Sequence, residues 1–246
     1  NFTANVTAYT GVIEAVELYY NLGDGFIPME MQTQGLGSYY SATLSGVYNG
    51  MIIEYYIQAV NSEGIIQTFP NNAPDNTVVF IIGDLPDLYS IDYEQGQGEW
   101  IIGDSFDDAT AGIWELAEPI ATYNDEGYQV QPGTDNTENG SFCFITGNGY
   151  EEGNGGFDDV DGGRTTLFSP FFNLSSFDEI VVTYWYWYTN NIGDNTGTDL
   201  WQVRVSSDGG STWQDLDVTS NSTNEWRKKR FVLSRHITLS DNMQFQ

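Results

Sequence analysis

The segment Met51-Ile52-Ile53-Glu54-Tyr55-Tyr56-Ile57-Gln58-Ala59-Val60, followed by Asn61-Ser62-Glu63-Gly64, decides the fold class. Ile53, Tyr55, Ile57 and Ala59 fall at every second position, so an extended chain places all four on one face. The run is rich in β-branched and aromatic residues, and turn formers end it, which predicts a strand entering a hairpin. The same signals recur on either side. Residues 15–21 (Ala-Val-Glu-Leu-Tyr-Tyr-Asn) lead into the turn Gly23-Asp24-Gly25, and residues 39–44 and 77–82 read as further strands. No capped stretch carries apolar residues at helical spacing, and glycine, 27 in all, punctuates the chain. Strands of this length at this spacing predict an all-β protein built as a β-sandwich.

Composition narrows the function classes. The 246 residues suffice for two domains, and 40% hydrophobic content excludes a disordered acidic tail despite a net charge of −28. Only 7 Lys and Arg face 35 Asp and Glu, and the first cation is Arg164. Such a chain cannot neutralise phosphates, so the expectation is no nucleic-acid partner and no anionic membrane surface. No apolar run approaches the ~20 residues of a membrane span, and no signal peptide is visible. The excess negative charge needs a compensator, either bound divalent cations or a saline medium. The single cysteine, Cys143, excludes an internal disulfide. The chain starts at Asn1-Phe2-Thr3 without a methionine and stops at Gln246 inside a strand-like segment, as expected of a piece of something longer.

Residues 16–20 (Val-Glu-Leu-Tyr-Tyr), Met29, residues 40–44 and residues 54–64 together resemble the immunoglobulin/fibronectin-III-like modules of bacterial secreted peptidases. Gly83-Asp84-Leu85-Pro86-Asp87 reads as a compact linker. Beyond it come Ile91-Asp92-Tyr93-Glu94, Gly98-Glu99-Trp100, Asp108-Ala109-Thr110-Ala111-Gly112-Ile113-Trp114-Glu115, Gln131-Pro132 and Asp135-Asn136-Thr137. Residues 142–148 (Phe-Cys-Phe-Ile-Thr-Gly-Asn) and residues 159–170 follow in order. This second series resembles the MAM-like jelly-roll module attached to bacterial secreted zinc carboxypeptidases and other exported proteins. The resemblance implies an immunoglobulin/fibronectin-III-like β-sandwich over 1–83, a linker over 84–90, and a larger jelly-roll β-sandwich over 91–246. Modules of this kind close with a further strand carrying paired acids. This sequence stops before it, and the expectation is a last strand that is disordered, cleaved away, or replaced by a strand from another chain.

Catalytic signals are weak. A catalytic zinc needs three protein ligands, usually including a histidine pair, and His236 is the only histidine. Ser-His-Asp or Cys-His chemistry would need the same residue, and no Gly-x-Ser-x-Gly elbow occurs. Cys143 lies between Phe142 and Phe144 and reads as core. Ser206-Ser207-Asp208-Gly209-Gly210-Ser211-Thr212-Trp213 matches the Asp-box pattern found repeatedly in sialidases, where it builds a tight hairpin with Trp packed beneath. One copy makes no propeller, so a structural hairpin is expected. In so acidic a chain, paired carboxylates say nothing about glycoside hydrolysis.

Binding signals are stronger. Calcium takes six to eight oxygens, and Asp158-Asp159-Val160-Asp161-Gly162-Gly163 offers three carboxylates on a flexible backbone. It is not an EF-hand, because Pro170 stands where the bidentate Glu would have to be. The jelly-roll resemblance implies a calcium site built from distant loops, with Asp92 or Glu94 from the first strand joined by Asp108 and Asp135. A second acidic loop spans residues 193–199. In Tyr184-Trp185-Tyr186-Trp187-Tyr188 alternation puts the tyrosines on one face and the tryptophans on the other. That strand is either core or, with Trp201, an exposed aromatic row that stacks sugars. Arg227-Lys228-Lys229-Arg230, the only basic cluster, is expected to pair with acids of the domain or of a neighbouring copy.

These readings converge on a secreted, extracellular or cell-surface module pair with no catalytic residues, stabilised by calcium. Its partners would be the other domains of the parent protein and, through strand exchange, further copies in a filament or surface layer. A carbohydrate-binding module, or a non-catalytic fragment of a secreted metallopeptidase, is the alternative.

Overall fold

A computed structural model describes residues 1–33, 35, 37–124, 126–149, 159–192 and 196–246. The chain divides into two compact units, Asn1–Leu88 and Tyr89–Gln246. The protein is all-β: every strand pair is antiparallel, and the one helical element among the described residues is a 3-10 turn at Leu233–Arg235.

Unit 1 contains β1 (Phe2–Asn5), β2 (Ile13–Asn21), β3 (Phe26–Glu30), β4 (Gln32–Thr33), β5 (Tyr39–Ala42), β6 (Ile52–Asn61), β7 (Ile66–Phe69) and β8 (Val78–Ile81). One sheet runs β1-β5-β4, and the other runs β3-β2-β6-β7 with β8 also on β6. The stretch that set the fold class, now β6, is the central strand, pairing with β2 from Ile13↔Asn61 to Asn21↔Glu54. Ile57 of β6 joins Val16, Leu18, Met31 and Ala42 in the buried core, with Phe2, Ala4, Tyr40, Tyr55 and Ala59 packed around it. Because the two sheets supply this one cluster, unit 1 is a β-sandwich. On the opposite face of β6, Tyr56 stacks on Tyr19 with ring centroids 4.6 Å apart.

Turn chemistry explains where the strands stop. Asn61 Oδ1 accepts from Glu63 N (3.1 Å) and Ile65 N (2.8 Å), which closes the hairpin expected at residues 61–64. Asn21 Oδ1 accepts from Gly23 N and Gly25 N in the same two-on, four-on pattern. Asn124 and Ser206 repeat it in unit 2. A short side chain that satisfies two amides ahead of it ends a ladder at little cost.

Unit 2 contains β9 (Ile101–Ile102), β10 (Trp114–Ala117), β11 (Thr122–Tyr123), β12 (Gln129–Gln131), β13 (Cys143–Thr146), β14 (Leu167–Phe168), β15 (Val181–Tyr186), β16 (Trp201–Ser206), β17 (Gln214–Thr219), β18 (Arg227–Val232) and β19 (Gln244–Phe245). Its sheets are small: β10-β13, β11-β12, β14-β9, β15-β18 and β17-β16-β19. The core gathers Leu174, Val205, Leu216, Phe231, Leu233 and Met243. Lys229 of β18 and Tyr184 of β15 reach across to Asp217 of β17, at 3.2 Å and 3.0 Å, and tie two of the sheets together. Burial and the neighbouring Asp217 carboxylate push the Tyr184 hydroxyl far above its usual pKa, so it acts as a permanent donor.

The Asp-box stretch forms a hairpin turn. Asp208 accepts from Thr212 Oγ1 (2.6 Å), Thr212 N (2.8 Å) and Ser206 Oγ (2.7 Å), and these donors hold its carboxyl down at about 2. Trp213 beside it packs on Phe168.

Candidate functional site

Two of the acids singled out in the sequence meet at one point. Tyr93 takes a left-handed backbone conformation, φ 66°, rare for a bulky residue. Asp92 Oδ1 supports that bend by accepting from Glu94 N at 3.2 Å, while the Tyr93 ring is gripped by Phe144 and Trp100. The bend aims Glu94 at the segment before β13, where its Oε1 accepts from both Ser141 N and Phe142 N at 2.8 Å.

Asp135 comes to the same place from the loop after β12. A Cβ built on Gly140 would lie 2.6 Å from Asp135 Oδ2 and 3.1 Å from Glu94 Oε1, so the two carboxylates flank one position that only glycine fits. Asp135 is 8% exposed as a residue; its carboxylate makes no hydrogen bond or ion pair with another described residue, and its oxygens are not among the fully buried atoms that lack a partner, so solvent reaches them. No Lys or Arg occurs before Arg164, and the described ion pairs involve neither acid. Two carboxylates flanking one position with no cationic side chain beside them repel each other, a cost that a cation would relieve. Cys143 lies next to the pair. Burial first, then Asp135 and Glu94, push its thiol up to about 12, so it is a neutral thiol at physiological pH.

The chemistry of this donor set suits a hard cation. Two carboxylates flanking one position are oxygen donors of the kind a hard cation such as calcium takes, with carbonyl or water oxygens needed to complete the shell. Among the described residues no group of three or more His, Cys, Asp or Glu is placed to hold a metal, so the pair would have to recruit main-chain oxygen.

The other predicted ligands are placed elsewhere. Asp92 is exposed and serves the Glu94 turn. Asp108 Oδ1 accepts from Arg164 N at 3.0 Å, and Asp107 holds Thr166 through N (2.8 Å) and Oγ1 (2.6 Å). Arg164 balances this second acid group with contacts of 3.7 Å to Asp104 and 3.6 Å to Asp107. Asp159 and Asp161 are exposed; Asp161 bridges to Ala111 through the backbone. Asp158, and residues 193–195 of the second acidic loop, lie outside the described residues.

The aromatic run alternates as predicted. Tyr184, Tyr186 and Tyr188 all contact the half-buried Trp201, which also meets Trp114. Trp187 is half-buried too, its indole N–H donating to Val130 O at 2.9 Å. Trp185 alone of the three predicted sugar-binding rings is exposed, at 46%, with Lys228 Nζ 5.5 Å from its ring centroid. His236 packs edge-on against Phe231.

Sequence reasoning missed Gly140 and Cys143 as neighbours of the acid pair. The one local sign was the polar run from Thr134 to Ser141, with Gly140 as its next-to-last residue just before an aromatic strand. Comparison with protein-family models and with curated proteins finds no match for the chain.

Proposed function

We propose that the chain is a non-catalytic extracellular module pair, an immunoglobulin/fibronectin-III-like sandwich followed by a MAM-like jelly roll, whose second unit is locked by calcium at Glu94 and Asp135. The observation that carries this reading is the pair of carboxylates, Asp135 and Glu94, flanking Gly140 with no described ion pair to either. A divalent cation there would link the β12–β13 loop to the first segment of unit 2 and offset the charge that no side chain balances. The role is mechanical: support or adhesion in a larger exported protein, with other domains of that protein as partners. Filament assembly is its more specific form.

The test is thermal unfolding of the whole chain in EDTA, calcium and magnesium, for the wild type and for Asp135→Asn. Calcium is expected to raise the melting temperature saturably, by RT ln(1 + [L]/Kd), and magnesium to do much less. Asp135→Asn is expected to reverse sign. In EDTA it stabilises, because one of two mutually repelling carboxylates is neutralised; in calcium it melts below the wild type. Equal melting of the wild type in calcium and EDTA would sink the calcium reading.

A carbohydrate-binding role rests on Trp185 alone, since Trp187 and Trp201 contribute half-buried rings.

A further inference from the structure

Unit 1 has a strand edge that nothing else in the unit occupies. β1 stands at the end of its sheet and pairs only with β5, from Phe2↔Ala42 to Asn5↔Tyr39. Val6 N donates to Ser38 O at 2.8 Å and continues that register. In an antiparallel ladder, alternate residues bond to the same neighbour. Phe2, Ala4 and Val6 therefore bond toward β5, and the amides and carbonyls of Thr3 and Asn5 point to the open side. No described residue meets them there.

Beside this edge the sandwich gapes. A groove of about 610 Å³ runs between β1 and the β7–β8 edge, lined by Phe2, Ala4, Tyr55, Ile57, Phe69 and Phe80 among others. Phe69 is 61% exposed and Phe80 46%. No lining residue has a charged side chain. That matters in a unit whose charged side chains are all acidic. Two copies repel wherever those acids face each other, and this neutral face is where they can meet.

We propose that two copies of the chain pair here, β1 against β1, about a twofold axis through Ala4. The register follows from which groups are free. Thr3 of one copy faces Asn5 of the other, so each such pair exchanges both N–H···O bonds, and Ala4 faces Ala4. Phe2 of the partner then lies opposite Val6, on the face that looks into the groove, and covers apolar surface that water now wets. A protected edge replaces an exposed one. The pairing uses nothing from unit 2, so it stands or falls independently of the calcium site.

Light scattering coupled to size exclusion, over a concentration series of the whole chain, tests this. The wild type is expected to pass from monomer to dimer. Thr3→Pro removes an outward N–H without touching the β1–β5 bonds, and proline is tolerated at an edge; it is expected to leave the melting temperature intact and abolish the dimer. Phe80→Glu puts a charge into the groove and is expected to raise the dimer dissociation constant about tenfold or more. Ile27→Glu, on the exposed face of β3 at the far edge of the other sheet, is the control and leaves dimerisation unchanged. A chain that stays monomeric to millimolar concentration overturns the proposal, and so does a dimer indifferent to Thr3→Pro or to Phe80→Glu.

Discussion

Glu54 in unit 1 and Asp135 in unit 2 are buried almost equally, 7% and 8% exposed, yet their surroundings are opposite. Glu54 sits on β6, on the face it shares with Tyr56, and accepts from Thr77 Oγ1 at 2.7 Å and Asn21 Nδ2 at 3.3 Å. Its donors are neutral and come from the chain itself. Asp135 sits in a loop, faces another carboxylate, and has no donor among the described residues. A third acid sharpens the contrast: Asp217, in the same unit as Asp135, has both an ammonium and a phenol. Burying a carboxylate is therefore routine for this protein when donors are built in. Where donors are absent and a second carboxylate stands beside the first, the repulsion is left for solvent or a bound ion to relieve, and that is why Asp135 and not Glu54 marks the candidate site.

The comparison can be broken or sharpened at each of these acids. The largest effect is expected at Asp217. Its replacement by Ala takes a mostly buried partner from both the Lys229 ammonium and the Tyr184 hydroxyl. Chemical denaturation should show a loss of about 2–3 kcal/mol, below the full cost of breaking a buried pair because some exposure remains. A loss near zero would mean the two sheets are not held by this contact. A smaller loss, about 1–2 kcal/mol, is expected for Thr77→Val, which takes a donor from Glu54 while keeping the shape of the side chain. Calcium should not restore the stability lost in either variant, in contrast to the sign reversal expected of Asp135→Asn.

The smallest effect is expected at the exposed Asp208, and it is visible through its pH dependence. Its folded pKa, about 2, lies below the ordinary value of 3.8, so its contribution is present above about pH 4. That contribution fades as pH falls toward 2. The melting difference between wild type and Asp208→Ala should therefore be present at pH 6 and be much smaller at about pH 2, where the carboxyl is half protonated. A difference undiminished between pH 6 and pH 2 would place the stabilisation in hairpin packing and not in the carboxylate.

Much of the fold was legible because strand periodicity is a local property. The alternation of Ile53, Tyr55, Ile57 and Ala59 marked β6, and Asn61 through Gly64 marked its turn, since a short amide side chain followed by glycine closes a hairpin without help from elsewhere. Strands β1, β3 and β7 were not drawn out as separate elements. They are edge or near-edge pieces of four or five residues, too short for alternation to declare itself. Of the predicted ligands, Glu94 and Asp135 converge, while Asp108 is tied to the Arg164 backbone instead. Nothing in the linear sequence separates these cases, because all three are acids in polar loops.

The sequence by itself determined that the chain is all-β, that its charge is overwhelmingly negative, and that its cations cluster after residue 163, since alternation, turn chemistry and charge depend only on residue type and order. The tertiary structure alone decided which of the 35 acids are buried and which of those are satisfied. It alone left the Thr3 and Asn5 edge open beside an uncharged groove. Desolvation and hydrogen-bond satisfaction depend on residues distant along the chain, so they exist only once the strands have paired.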